Sequence, residues 1–142
     1  MRRFQIREFE FDKDYEPVLK LWQSIETGIN IGRSDTPEEI QKKIQRDPDL
    51  FLLAEAERKV VGSVIGGFDG RRGMVYHLAV HDQYRKQGIG SALLAEVEKR
   101  LKTKGCLKMY LLVLADNSSV LKFYEECGWR HAVEDLIFMK EL

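Results

Sequence analysis

Phe4, Ile6 and Phe9 alternate with polar neighbours over residues 4–9, a period of two that predicts a first strand. The spacing then changes. Tyr15, Val18, Leu19, Leu21 and Trp22 make one stripe of a helix running to about Ile25, with Asp12 or Asp14 as its candidate cap. Residues 26–35 show no clean period and read as a loop. Thr36 and Glu39 stand at capping-box spacing with Pro37 at the first helical position, starting a second helix that Asp47-Pro48-Asp49 stops. Residues 51–56 and 60–68 read as strands joined by Glu57-Arg58-Lys59, and Asp69-Gly70-Arg71-Arg72-Gly73 is a second turn with hairpin chemistry. Residues 74–80 are nearly unbroken in apolar character, as expected of a central strand. Residues 88–104 return to helical spacing, with Ile89, Leu93, Leu94, Val97 and Leu101 inward and Gly105 placed as a C-terminal cap. Residues 107–114 read as another buried strand, 117–127 as a helix ended by Gly128, and 129–131 and 136–139 as closing strands. The order β-α-α-β-β-β-α-β-α-β-β describes a mixed α/β (α+β) domain spanning residues 1–142, without repeat or linker.

Composition narrows the function classes. The 142 residues suit one domain; 44% hydrophobic residues supply a core, and 32% charged residues suit a soluble surface. Lys plus Arg, 23 in all, balance the 23 Asp plus Glu, so the basic excess of a nucleic-acid binder is missing. No apolar run approaches the roughly 20 residues that span a bilayer. The first nine residues lack a signal-peptide core, so the cytoplasm is the expected location. Cys106 and Cys127 are far apart and lack His partners at ligand spacing, so neither a metal nor a disulfide is expected.

The segment Arg85-Lys86-Gln87-Gly88-Ile89-Gly90-Ser91 lies between an expected strand and a long expected helix. The first amides of a helix have no intrahelical acceptor, and with the positive end of the helix dipole they form an anion site. Glycines let a phosphate reach that backbone and tolerate positive φ. Arg85 and Lys86 would add positive charge and Ser91 a hydroxyl. A dinucleotide fingerprint needs a further glycine where Leu93 stands, and a P-loop needs Gly-Lys-Ser/Thr, which is absent.

Arg85-x-x-Gly88-x-Gly90 resembles the central motif of the GNAT superfamily of N-acetyltransferases, whose pattern is Gln/Arg-x-x-Gly-x-Gly/Ala. That family's second signature is an Asn, then a Tyr one to two turns later, then a Gly-aromatic pair; Asn117, Tyr124 and Gly128-Trp129 fill these places. The element order also resembles the family's. The resemblance implies a mixed, mostly antiparallel sheet flanked by helices, and acetyl-CoA as co-substrate with no metal. It further implies that the amides of Gln87, Gly88, Ile89, Gly90 and Ser91 hold the pyrophosphate. The backbone of the strand at Leu78, Ala79 and Val80 would pair with the pantetheine arm. Asn117 would bind the pantetheine region, and Tyr124 would stand near the thioester sulfur.

Acetyl transfer to an amine needs a base for the ammonium, a donor for the oxyanion and a proton for the leaving thiolate. A backbone N–H near Val80 suits the oxyanion. Tyr124 is the candidate acid, since phenol and thiol pKa values lie near ~10 and ~8.5. Several relatives that acetylate protein N-termini carry a Glu before the Asn; Leu112 occupies that place in Met109-Tyr110-Leu111-Leu112-Val113. The remaining candidate bases are His77, Tyr76, Glu26 or a water chain, with Tyr76 better suited to lining the site. Trp22 reads as a core anchor, Arg71 and Arg72 as an exposed turn, and His81 and His131 receive no role. The acceptor would be a small-molecule or protein amine, and the resemblance points to a homodimer. A coenzyme-A sensor without catalysis and a protein-interaction module with a purely structural glycine turn are the alternatives.

Overall fold

The computed structural model describes residues 3–25 and 29–142, with only the backbone at Asp116. By its internal contacts the chain divides into two compact units, Met1–Leu112 and Val113–Leu142. The first contains β1 (Gln5–Glu8), α1 (Phe11–Ser24), a 3-10 turn at Arg33–Asp35, α2 (Pro37–Arg46), β2 (Phe51–Ala56), β3 (Lys59–Phe68), β4 (Gly73–Val80), a 3-10 turn at Asp82–Tyr84, α3 (Ile89–Thr103) and β5 (Met109–Leu111). The five strands form one sheet in sequence order, antiparallel except for the parallel β4–β5 pair. This is the mixed, mostly antiparallel sheet flanked by helices that the sequence implied.

Local chemistry explains most element ends. Thr36 caps α2 by accepting from the Glu39 N–H, with Pro37 in the first turn. For α1 the expected cap is corrected: Glu10 is the N-cap, and Asp14 sits inside the first turn. Its carboxylate accepts from the Glu10 N–H at 2.8 Å and from Arg7 through two bonds, Nη1 at 2.7 Å and Nη2 at 2.9 Å. Arg7 also reaches Glu55, so one guanidinium joins β1, α1 and β2. Burial opposes the charge on Asp14, but the bonds from Arg7 and Glu10 outweigh it and hold the carboxyl below the usual range.

The core follows from strand alternation. Phe51 and Leu53 on β2 pack with Phe9, Val18, Leu21, Trp22 and Ile40, and Phe9 stacks on Phe51 at 4.1 Å. On the opposite face of β3, Gly62 and Gly66 admit α3: a Cβ on Gly66 would meet Val97 at 2.6 Å, and one on Gly62 would meet Ile89 at 3.0 Å. The five apolar residues expected on the inner face of α3 are all buried. Its C-terminus is a Schellman cap: Gly105 (φ +95°) donates to Lys102 O, and Cys106 N to Leu101 O.

Three expected strands differ. The buried strand over 107–114 is reduced to Met109–Leu111, with Leu107 93% exposed, because among the described residues β5 pairs on one side only, with β4. In the second unit, a 3-10 segment (Ala115–Val120) leads into α4 (Leu121–Glu126), with a break in helical geometry at Asn117. The closing strands at 129–131 and 136–139 are not formed; Leu136, Ile137, Phe138 and Met139 are exposed, and a β pattern without a paired neighbour has no ladder to join.

Candidate active site

β4 carries a bulge that decides how its backbone is used. Tyr76 pairs with Ile65 and Ala79 with Ser63, so Val64 faces both His77 and Leu78. His77 takes a left-handed φ of +48° there. Before the bulge, Gly73 N–H points to β5, donating to Lys108 O; after the strand, His81 N–H points to β3, donating to Val61 O. Alternation back from His81 turns the amides of Leu78 and Val80 away from β3. The β4–β5 pairing itself ends at Val75–Leu111. β5 stops there, and beyond it the Leu78 and Val80 amides face the side of β4 away from β3, where among the described residues no strand pairs with them.

At the far end of β4, His81 caps the Asp82–Tyr84 turn, its Nδ1 accepting from the Gln83 N–H. Tyr84 is buried and its hydroxyl donates to Glu57 at 3.0 Å. Glu57 and Arg58 form the β2–β3 hairpin turn, both with positive φ, 52° and 63°. Their backbone geometry thus anchors the segment leading into residues 85–91.

In that segment Lys86 has φ 61°, and Gly88, the N-cap of α3, lies in the left-handed region at φ 82°. A left-handed residue followed by a helical one turns successive N–H groups toward one point, a concavity suited to an anion. The opening amides of α3 have no intrahelical carbonyl in reach. Gln87 Oε1 is buried and has no hydrogen-bond partner among the described residues, an acceptor that a bound molecule could satisfy. Arg85 folds back onto Val80 O and Asp82. These features fit a diphosphate. A Cβ on Gly88 would meet nothing within 4 Å, so its need for glycine is conformational. Gly88→Ala is expected to lower stability by only about 1–2 kcal/mol while raising the dissociation constant for acetyl-CoA roughly tenfold. Isothermal titration checks this, and unchanged affinity would remove the turn from coenzyme binding.

His77 sits between α1 and the 3-10 turn at Arg33–Asp35. Its Nε2 lies 3.0 Å from Asp35 Oδ1, and its carbonyl accepts from Ser63 Oγ at 2.9 Å. Ser63 Oγ in turn accepts from Trp22 Nε1, confirming Trp22 as a core anchor. Asp35 is 6% exposed; burial works against its charge, but bonds from His77 and the Gly32 N–H hold its carboxyl below the usual range. No local pattern marks this pair, whose members are 42 positions apart. Tyr76 is 46% exposed, and desolvation pushes its phenol up. Glu26 lies outside the described residues.

In the second unit, Tyr124 packs edge-on to Phe123 and Trp129. Burial, then the charge of Cys127, pushes its phenol pKa up. Gly128 (φ +92°) donates to Glu125 O and Trp129 N to Tyr124 O, a second Schellman cap with its aromatic contact. The Gly-aromatic pair of the sequence signature therefore ends the helix that carries Tyr124. Leu112, at the place of the missing Glu, is 56% exposed. An open cleft of about 520 Å³ between α1 and the β2–β3 turn, lined by Arg7, Asp14, Lys20, Lys59 and His81 among others, contains none of the expected site residues.

The sequence profile of the Acetyltransferase (GNAT) family matches residues 14–129. The chain belongs to that family. It is 41% identical to an acetyltransferase of Sodalis glossinidius over 97% of this chain and 95% of that one. Among solved structures, Ard1 of Thermoplasma volcanium superposes with a TM-score of 0.75 at 27% identity, covering 88% of this chain and 81% of that one. The PaiA N-acetyltransferase of Thermoplasma acidophilum, solved in complex with coenzyme A, shares the fold at a TM-score of 0.72, with 22% identity and 87% of each chain covered. The chain is thus a GNAT N-acetyltransferase. Among its described residues no helix is long and apolar enough to cross a membrane, and no group of three metal-ligating side chains occurs.

Proposed function

We propose that this enzyme moves the acetyl group of acetyl-CoA to a primary amine by direct attack on the thioester within a ternary complex, with residues 1–142 acting as one catalytic domain. The observation that supports the reading is that the Leu78 and Val80 amides of β4 turn away from β3 and are followed along the chain by the positive-φ turn that opens α3 at residues 85–91. An extended arm lying along β4 accepts from the Leu78 and Val80 amides as an added strand would, with Ala79 between them. Its diphosphate meets the amides of Gln87, Gly88, Ile89, Gly90 and Ser91, with Arg85 and Lys86 supplying charge. Asn117 holds the pantetheine region. A β4 amide near Val80 stabilises the oxyanion, His77 takes the proton of the amine, Tyr76 lines the acceptor side, and Tyr124 hydrogen-bonds the departing sulfur.

A ligand that binds only the native state raises its stability by about 2.7 kcal/mol at a hundredfold excess over Kd. Millimolar acetyl-CoA is therefore expected to raise the melting temperature by several degrees. A panel of primary amines, spanning amino acids, polyamines, amino sugars and peptide N-termini, then yields coenzyme A release with at least one member. Absence of any thermal shift would overturn the reading. A shift with no thiol release from any amine would leave a coenzyme-binding domain without catalysis.

A further inference from the structure

We propose that Asp35 is a positioning residue for acetyl transfer, fixing His77 as its Nε2–H tautomer and leaving Nδ1 as the nitrogen that takes the acceptor's proton. This rests on the acetyltransferase reading above. Asp35 is ionised in its place, and an ionised carboxylate only accepts, so the 3.0 Å contact requires a hydrogen on His77 Nε2. Both carboxylate oxygens are engaged: Oδ1 by His77, Oδ2 by the Gly32 N–H at 3.0 Å. A charge buried to 6% exposure is kept only with such partners.

His77 is held from three elements. Asp35 holds Nε2, the Trp22 ring stands edge-on at 4.6 Å, and the Ser63 hydroxyl holds the His77 carbonyl. These contacts maintain the left-handed backbone of a residue that is not glycine, a conformation that persists when its surroundings over-determine it. Nδ1 makes no hydrogen bond among the described residues, and the side chain is 19% exposed. A histidine serving only to fill the core would have both nitrogens satisfied. The same bulge that carries this imidazole turns the neighbouring Leu78 and Val80 amides away from β3.

The proton balance closes. An acceptor arriving as an ammonium gives one proton to Nδ1, which passes it to solvent. The freed lone pair forms the C–N bond as the C–S bond breaks. Tyr124 protonates the thiolate, and the second nitrogen proton restores the phenol. The products are the amide, the thiol of coenzyme A and one released proton.

The test compares wild type with Asp35→Asn, Asp35→Glu and His77→Asn, the last chosen because Asn tolerates positive φ. With the fastest amine of the panel, Asp35→Asn is expected to lower kcat about 10- to 100-fold with acetyl-CoA affinity within twofold of wild type. Asp35→Glu restores part of the loss, and the Asp35→Asn/His77→Asn double variant is no slower than His77→Asn alone. Multiple-bond 15N NMR should show the His77 Nε2–H tautomer in wild type and its loss in Asp35→Asn. Wild-type kcat in either single variant, multiplying effects in the double variant, or an Nδ1–H tautomer in wild type would overturn the proposal while leaving the acetyltransferase reading intact. If Asp35→Asn does not fold, His77→Asn and the wild-type tautomer decide. If wild type acetylates no amine, whether or not it binds acetyl-CoA, the proposal falls together with the acetyltransferase reading.

Discussion

Replacing Tyr124 by Phe is expected to lower turnover about a hundredfold while leaving acetyl-CoA affinity nearly unchanged. The thiolate leaving group has to be met by a proton, and positioned acids of this kind contribute factors of about 10² to 10⁴. Burial holds the Tyr124 phenol in its protonated form across the neutral range, which is the form that donates. Phe keeps the ring contacts with Phe123 and Trp129, so α4 and its Gly128 cap stay in place. The loss therefore belongs in kcat rather than in folding or coenzyme binding. Steady-state kinetics with a saturating amine measure it, and equal turnover in the two proteins would remove Tyr124 from the mechanism.

The Asp14→Asn variant is expected to lose about 2–4 kcal/mol of stability at pH 7, the lower part of the range for a broken buried pair because Arg7 and Glu55 retain some solvent. Asn preserves the shape but gives up the charge that two guanidinium nitrogens and the Glu10 N–H address. The pH dependence separates charge from packing. Because the folded-state pKa of Asp14 is depressed, its contribution is complete above the ordinary carboxylate pKa, near ~4, and disappears as pH falls through the lower, folded value. Denaturation of the two proteins at pH 7 and near pH 3 should show the difference narrowing in acid. A difference that stays constant would assign the effect to packing alone.

What could be read in advance was what short stretches of chain determine. The Thr36–Glu39 cap, the inner stripe of α3 and the glycines at 105 and 128 act within a few residues of themselves, and the structure shows each in its expected place. The bulge at His77 belongs to the register between β3 and β4, which no local pattern encodes. The pairing of Asp35 with His77 leaves no local mark, since the two lie on different elements. Short-range rules offer Asp12 or Asp14 as the cap of α1, whereas the place of Asp14 follows from Arg7 on β1. The apolar residues at 136–139 have β character, yet a strand exists only by virtue of its neighbour.

The bulge in β4 also divides what substitution can change. Leu78 and Val80 turn main-chain amides away from β3, and every residue except proline supplies the same group there. Tyr76 and His77, on the other hand, present side chains that a single codon change rewrites. On the proposed reading, acceptor preference can therefore drift by point mutation at these two positions while the main-chain contacts of β4 to the donor stay constant. An insertion or deletion within residues 76–79, which would slip the phase of the strand, is what would turn the Leu78 and Val80 amides back toward β3.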